Sequence, residues 1–198
     1  EFKSSIEVLS QFEGMPQFNW LQESLAKMNM EINRDSAPKI SFDSNPFLKG
    51  IEFLSTLYNA IKSKTVLNIL YKDFSSQESY PVLIHPYFLK QYNNRWFLFG
   101  RNDEKNSLNW NLAIDRIIEI NETTYQYHEN EEIVWDEYFE DIIGVTIPQD
   151  AKTQKVLLHF YGITGKYVEN KPIHGSQKSN WINNRTLEVR LKLIINYE

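Results

Sequence analysis

The sequence predicts an α+β chain in three stretches: N-terminal helices, then a small antiparallel β-barrel or sheet, then a shorter α/β piece. Three observations carry this. Apolar residues recur at helical spacing up to about residue 62; the period drops to two from Thr65 onward; and a strand, a weak helix and another strand follow Pro148. The boundaries implied are 1–62, 63–146 and 147–198.

Helices are expected over 4–12 and 18–32. In the second, Trp20 or Leu21, Leu25, Met28 and Ile32 share a face behind the N-cap candidate Asn19. "NRDSAPK" reads as a loop, and Leu48, Ile51, Leu54, Leu57 or Tyr58 and Ile61 bring back helical spacing over 47–62. Such apolar stripes are core faces.

Five strands with short connections follow: "TVLNILYKD", "SYPVLIHPYFLKQY", "RWFLFGRN", "LNWNLAID" and "IIEINETTYQY". Asn93-Asn94 suits a two-residue type I′ turn, because Asn tolerates positive φ. That turn sets a register in which Tyr92 faces Arg95, Lys90 faces Phe97, Phe88 faces Phe99 and Pro86 faces Arg101. These eight then share one face, while His85, Tyr87, Leu89, Gln91, Trp96, Leu98 and Gly100 share the other. A one-residue slip would change every partner. At least three of Trp96, Phe97, Leu98 and Phe99 are expected in the core. "EEIVWDEYFEDIIG" reads as a short helix ending at Gly144, "KVLLHFYG" as a strand, "ITGKYVEN" as weak helix or loop, and "RTLEVRLKLII" as a strand.

The composition, 41% hydrophobic and 24% charged over 198 residues, suits a folded chain with a real core. No apolar run reaches membrane-spanning length. Without cysteine there are no disulfides or thiol nucleophiles, which leans towards a reducing, cytoplasmic compartment. The first residues lack an initiator Met and the last stop inside an alternating pattern, so the expectation is an internal piece of a longer protein.

The four histidines, His85, His128, His159 and His174, show no metal-ligand spacing, so no metal is expected. There is no G-x-S-x-G, Walker-type loop or G-x-G-x-x-G, and no cofactor is expected. The acidic residues Asp136, Glu137, Glu140 and Asp141 fit a solvated helix face better than acid–base chemistry. Nothing reads as catalytic.

Charge is unevenly spread. Residues 118–150 hold ten acidic residues and no Lys or Arg, whereas 151–198 hold eight cations against three acidic residues. A solvated acidic connector is the plain explanation; two basic patches sharing one anion is the sharper one. Within 85–101 the cations Lys90, Arg95 and Arg101 are threaded through aromatic rings, which can stack on a planar group while guanidinium holds phosphate or carboxylate. His85 can hydrogen-bond in either protonation state. For these three basic residues spacing alone does not decide, and plain surface cations are the default reading.

"HPYFLKQYNNRWFLFG" (85–100), followed by "NLAIDRI" (111–117), resembles the signature of the WYL-domain family of bacterial transcriptional regulators. The naming tripeptide stands as Trp96-Phe97-Leu98, with Phe replacing Tyr and one hydroxyl lost. The resemblance covers about 47–120 and implies an Sm-like, SH3-type barrel. The preceding helices resemble the linker to an N-terminal DNA-binding domain, which this reading places upstream of Glu1. Residues from about 147 resemble part of the ferredoxin-like WCX extension. The family implies a sensor of a nucleotide or single-stranded nucleic acid effector, dimeric and cytoplasmic, contacting DNA through the absent domain. Carried over by position, His85, Tyr87, Arg95 and Arg116 are the implied effector contacts; Lys90 and Arg101 join them from the charge pattern. Arg116 has a plainer alternative, pairing with Asp115 or with the acidic stretch. The competing function is a protein–protein dimerisation module with no small ligand, since Tyr, Trp and Arg also enrich interfaces.

Overall fold

The computed structural model describes residues 48–148 and 150–197. The helices expected over 4–12 and 18–32 lie outside them. The chain divides into two compact units, one ending at Glu131 and the other beginning at Glu132.

In the first unit the expected 47–62 helix starts late. Gly50 adopts φ 83°, and a Cβ there would lie 2.3 Å from the Ile114 carbonyl oxygen. The backbone therefore turns at Gly50, and one 3₁₀ turn (Ile51–Phe53) leads into α1, Leu54–Ser63. Leu54, Leu57 and Ala60 form its buried stripe.

Five strands follow: β1 (Leu67–Tyr71), β2 (Tyr80–Tyr92), β3 (Arg95–Asn102), β4 (Ser107–Ala113) and β5 (Ile117–Glu122). They pair in the order β4-β3-β2-β1-β5, and every pairing is antiparallel. The alternation read from the sequence has a direct cause: Leu67, Ile69 and Tyr71 point inward while Asn68 is exposed. These side chains join Leu54, Leu57, Ile84, Leu98, Leu112 and Ile114 in one core. Among the described residues no ladder joins β4 to β5, so this hydrogen-bonded sheet is not closed into the expected barrel. A 3₁₀ turn, Ile114–Arg116, links those two end strands. Leu98 and Phe99 are fully buried and Phe97 nearly so, while Trp96 packs at the core's margin.

In the second unit the helix expected to run to Gly144 is a single turn, α2 (Trp135–Tyr138). Its rings pack on their own neighbours, Trp135 on Tyr138 at 5.4 Å and Tyr138 on Phe139 at 4.9 Å. Beyond lie β6 (Thr153–Tyr161), α3 (Ile163–Asn170), β7 (Lys178–Asn183) and β8 (Thr186–Ile194). The strand β7 was not expected, because the polar "KSNWIN" lacks a clear apolar alternation. The order is β6-β8-β7 with both pairings antiparallel, so β6 and β7 run parallel and α3 makes the crossover between them. Leu187, Val189, Leu191 and Leu193 of β8 supply the core, packed by Val168 and Trp181. Gly165 lets α3 approach closely, since a Cβ there would sit 2.8 Å from the Trp181 ring. Among the described residues no helix is long and apolar enough to cross a membrane.

Candidate functional site

The β2–β3 hairpin turns at Asn93 and Asn94, whose φ values of 47° and 58° are the positive pair a type I′ turn requires. Tyr92 faces Arg95, Lys90 faces Phe97 and Phe88 faces Phe99, as the turn dictates. The register then shifts between Pro86 and Phe88. Tyr87 is the extra residue of a bulge, so Pro86 faces Gly100 rather than Arg101, and His85 faces Arg101. This corrects the expected pairing and moves His85 to the face that carries Arg101. Gly100 permits it, because the His85 carbonyl oxygen lies 2.3 Å from the point a Cβ would occupy.

Around His85 a polar cluster assembles that no local spacing announced. The ring is buried, with 2% of its surface exposed. Its Nε2 lies 3.2 Å from Asp103 Oδ2, and its Nδ1 accepts the His128 backbone N–H at 3.0 Å. The His128 imidazole stacks on it at 4.9 Å with an 8° tilt. Arg101 Nε donates to the other Asp103 oxygen. The Tyr127 hydroxyl donates to the Pro86 carbonyl at 2.7 Å, and the Tyr87 hydroxyl to the His128 carbonyl at 2.8 Å. Burial pushes His85 below its ordinary value against the pull of Asp103, and Arg101 holds Asp103 below the usual carboxylate range.

His85, Asp103 and His128 bring possible ligand atoms within 4.8 Å of one another, close enough to raise the question of a metal. The proton arrangement answers against it. Because Nδ1 accepts a backbone N–H, the proton of the neutral ring sits on Nε2 and points at Asp103. A metal on Nε2 would force the ring proton onto Nδ1, directly against the His128 N–H. Metal-binding histidines normally aim that second nitrogen at an acceptor instead. The cluster is arranged around a proton.

The hairpin's arginines do not converge on one cradle. Arg95 Nη2 donates to both oxygens of Asp115, at 3.0 and 2.9 Å, and its guanidinium lies over Phe97. Arg101 is paired with Asp103. These two arginines sit at opposite ends of β3, about 20 Å apart at ~3.3 Å per residue. Lys90 lies between them, half-buried, and the Tyr87 hydroxyl is engaged with the 123–131 segment.

Arg116 differs from both. Asp115 is taken by Arg95, and among the described residues Arg116 makes no ion pair, so its plainer alternative is not what forms. Its guanidinium lies 4.1 Å from the centre of the Phe74 ring, and its Nε is buried with no hydrogen-bond partner. Phe74 is 81% exposed, yet it is held in place from below. Asp73 accepts the backbone N–H groups of Ser75 and Ser76, both their hydroxyls and the Tyr80 hydroxyl, fixing the turn that carries the ring. Those bonds hold the Asp73 carboxyl well below the usual range, and burial with Asp73 pushes Tyr80 up to about 12. Tyr71 stands edge-on to Tyr80 at 6.0 Å; burial raises its hydroxyl against the nearby Arg116 charge. A cation without a carboxylate, backed by an exposed ring, can accept an anion on one side and a planar group on the other. Sequence reading placed Asp73 at the end of the first strand candidate and left Phe74 to the polar turn after it. The available signal was an Asp two and three residues before serines, with an aromatic between.

Residues 52–122 match the WYL domain family. No curated protein matches the chain. Among solved structures it is similar to Proteasome accessory factor B/C (PafBC) of Arthrobacter aurescens, at 11% identity and a TM-score of 0.39. That alignment covers 76% of this chain and 22% of the other, so the chain spans about a fifth of that protein's length. The matched residues run from the turn before α1 to the end of β5 and contain both Arg116 with Phe74 and most of the His85 cluster, so the likeness to the WYL domain family extends over the first unit's sheet and not over the whole chain.

Proposed function

We propose that the first unit is the ligand-sensing region of a DNA-binding transcriptional regulator, and that it takes an anionic ligand with a planar ring, a nucleotide or single-stranded nucleic acid. One observation carries the reading: Arg116 is a cation with no neutralising carboxylate among the described residues, set against an exposed aromatic face. The WYL match supports a regulatory role. On this reading Arg116 holds phosphate and Phe74 stacks on the base. Arg95 acts indirectly: by occupying Asp115 it keeps that carboxylate from neutralising Arg116. DNA contact belongs to a separate domain of a cytoplasmic regulator. The second unit's strand–helix–strand–strand order supports a partial ferredoxin-like extension, and β4 and β5 are the edges a closed barrel would bring together.

The test is the affinity for short single-stranded oligonucleotides between about 50 and 200 mM salt, because phosphate contacts release counterions. Binding is expected to weaken steadily with salt. Arg116→Ala is expected to weaken it about tenfold or more, and Phe74→Ala comparably, from a stacking contribution of ~1–3 kcal/mol. Both variants should keep the wild-type oligomeric state. A flat salt response, or no binding at the lowest salt, removes the polyanion ligand. Loss of assembly in Arg116→Ala would favour the dimerisation module instead.

A further inference from the structure

We propose that residues 123–131 form a pH-sensitive strap, latched across β2 through neutral His85 and released when that imidazole takes a second proton. The strap is anchored at its start by Thr123, whose N–H and hydroxyl both meet the Val66 carbonyl at 2.9 Å. Its far half is held by several further attachments, among them His128 Nδ1, which lies 3.5 Å from Asp103 Oδ2. Tyr127 donates to the Pro86 carbonyl, Tyr87 donates to the His128 carbonyl, Lys64 pairs with Glu129, and the His128 N–H donates to His85 Nδ1. The Lys64–Glu129 pair is more than half exposed on both sides and holds little. The tyrosine bonds end on carbonyls, which do not titrate. The bond to His85 does.

A second proton on His85 can go only to Nδ1, where it meets the His128 N–H head-on. One acceptor becomes a donor, the bond is lost, and a cation is left in a site that is 2% exposed. The charged and titratable groups facing this ring come from every element around it. From β3 and the turn after it come Asp103, which favours the cation, and Arg101, which opposes it and already occupies Asp103. From the strap come His128, which also opposes the cation, and Tyr127. Glu129 stands near both Tyr127 and Tyr87, and Tyr87 is the contribution of β2 itself. Burial is the largest influence, and it disfavours the charged ring.

The sign follows from linkage. The latched state binds this proton less readily than the opened one, where imidazole regains its ordinary value of about 6.5. The latch is therefore at full strength above that value and weakens as pH falls through it. Asp103, held low by Arg101, stays ionised across this window. Release uncovers His85 and frees the Tyr87 hydroxyl.

Backbone amide exchange of the full chain from about pH 5 to 8, expressed as protection relative to the unstructured rate, tests this. Protection of the strap amides, His128 above all, is expected to fall up to about tenfold per pH unit below ~6.5. Protection of Leu98 and Phe99 in β3 should stay level. In His85→Asn, which offers a neutral acceptor that cannot titrate, the fall should vanish. His128→Ala keeps the backbone N–H and removes the second imidazole; here the fall should persist, and this variant decides the matter should His85→Asn not fold. Level strap protection in the wild type overturns the proposal. So does a fall that survives in His85→Asn or disappears in His128→Ala.

Discussion

Phe99→Ala is expected to cost the first unit about 3–5 kcal/mol, a large part of a domain's stability. The side chain is fully buried in the central part of β3, with Phe88 across one ladder and Asn111 across the other. Truncation removes the transfer energy of the ring and leaves a cavity that two flanking strands, fixed by their hydrogen bonds, cannot collapse to fill. Chemical unfolding of a two-unit chain is not one transition, so the measurement should follow each unit separately. Amide exchange in β3 should lose protection in proportion, while β8 keeps its own. Unchanged protection in β3 would mean that Phe99 is not packed as described.

Gly100→Ala, the next residue along, should fail in the opposite way. The new Cβ would stand 2.3 Å from the His85 carbonyl oxygen and 2.8 Å from Ile84 Cγ1. A flexible side chain could swing away from such a contact, but a backbone carbonyl inside a bulged ladder must carry its strand with it. The expected loss is about 3 kcal/mol, at the upper end for overpacking. The damage should also be directional. Because it pushes β2 away at His85, the bond from His128 N–H to His85 Nδ1 and the approach to Asp103 should open before the hairpin turn does. Strap amides should therefore lose protection even at pH 8, whereas the Asn93–Asn94 turn should not. Wild-type stability with an intact strap would show that the close approach is not maintained in solution.

Much of the first unit was readable because burial repeats along it. The five strands, the turn at Asn93-Asn94 and the three core residues among Trp96, Phe97, Leu98 and Phe99 all follow from period-two alternation and from Asn tolerating positive φ. The helix ending at Gly144 failed for a related reason. Its aromatic run packs against itself in one turn, and composition does not reveal that. The strand β7 was hidden because its outward and inward residues are both largely polar.

The sites were legible only as residue types. That 85–101 gathers cations, rings and a histidine is a property of the sequence; which cation meets which carboxylate is not. One bulge at Tyr87 exchanged the partner of Arg101, brought His85 onto its face, and left Arg95 at the far end of the strand with Asp115.

By itself, the sequence determined the five strands of the first unit, the turn at Asn93-Asn94 and the alternation that turns apolar side chains to the core, because each of these depends on neighbours within a few residues. Only the tertiary structure decided that the Arg116 guanidinium lies over Phe74 with no ion pair among the described residues, and that His85 accepts a backbone N–H 43 positions away. Those contacts depend on strand register and on backbone approach at a single glycine, and a shift of one residue, with no change in composition, would give every charge a different partner.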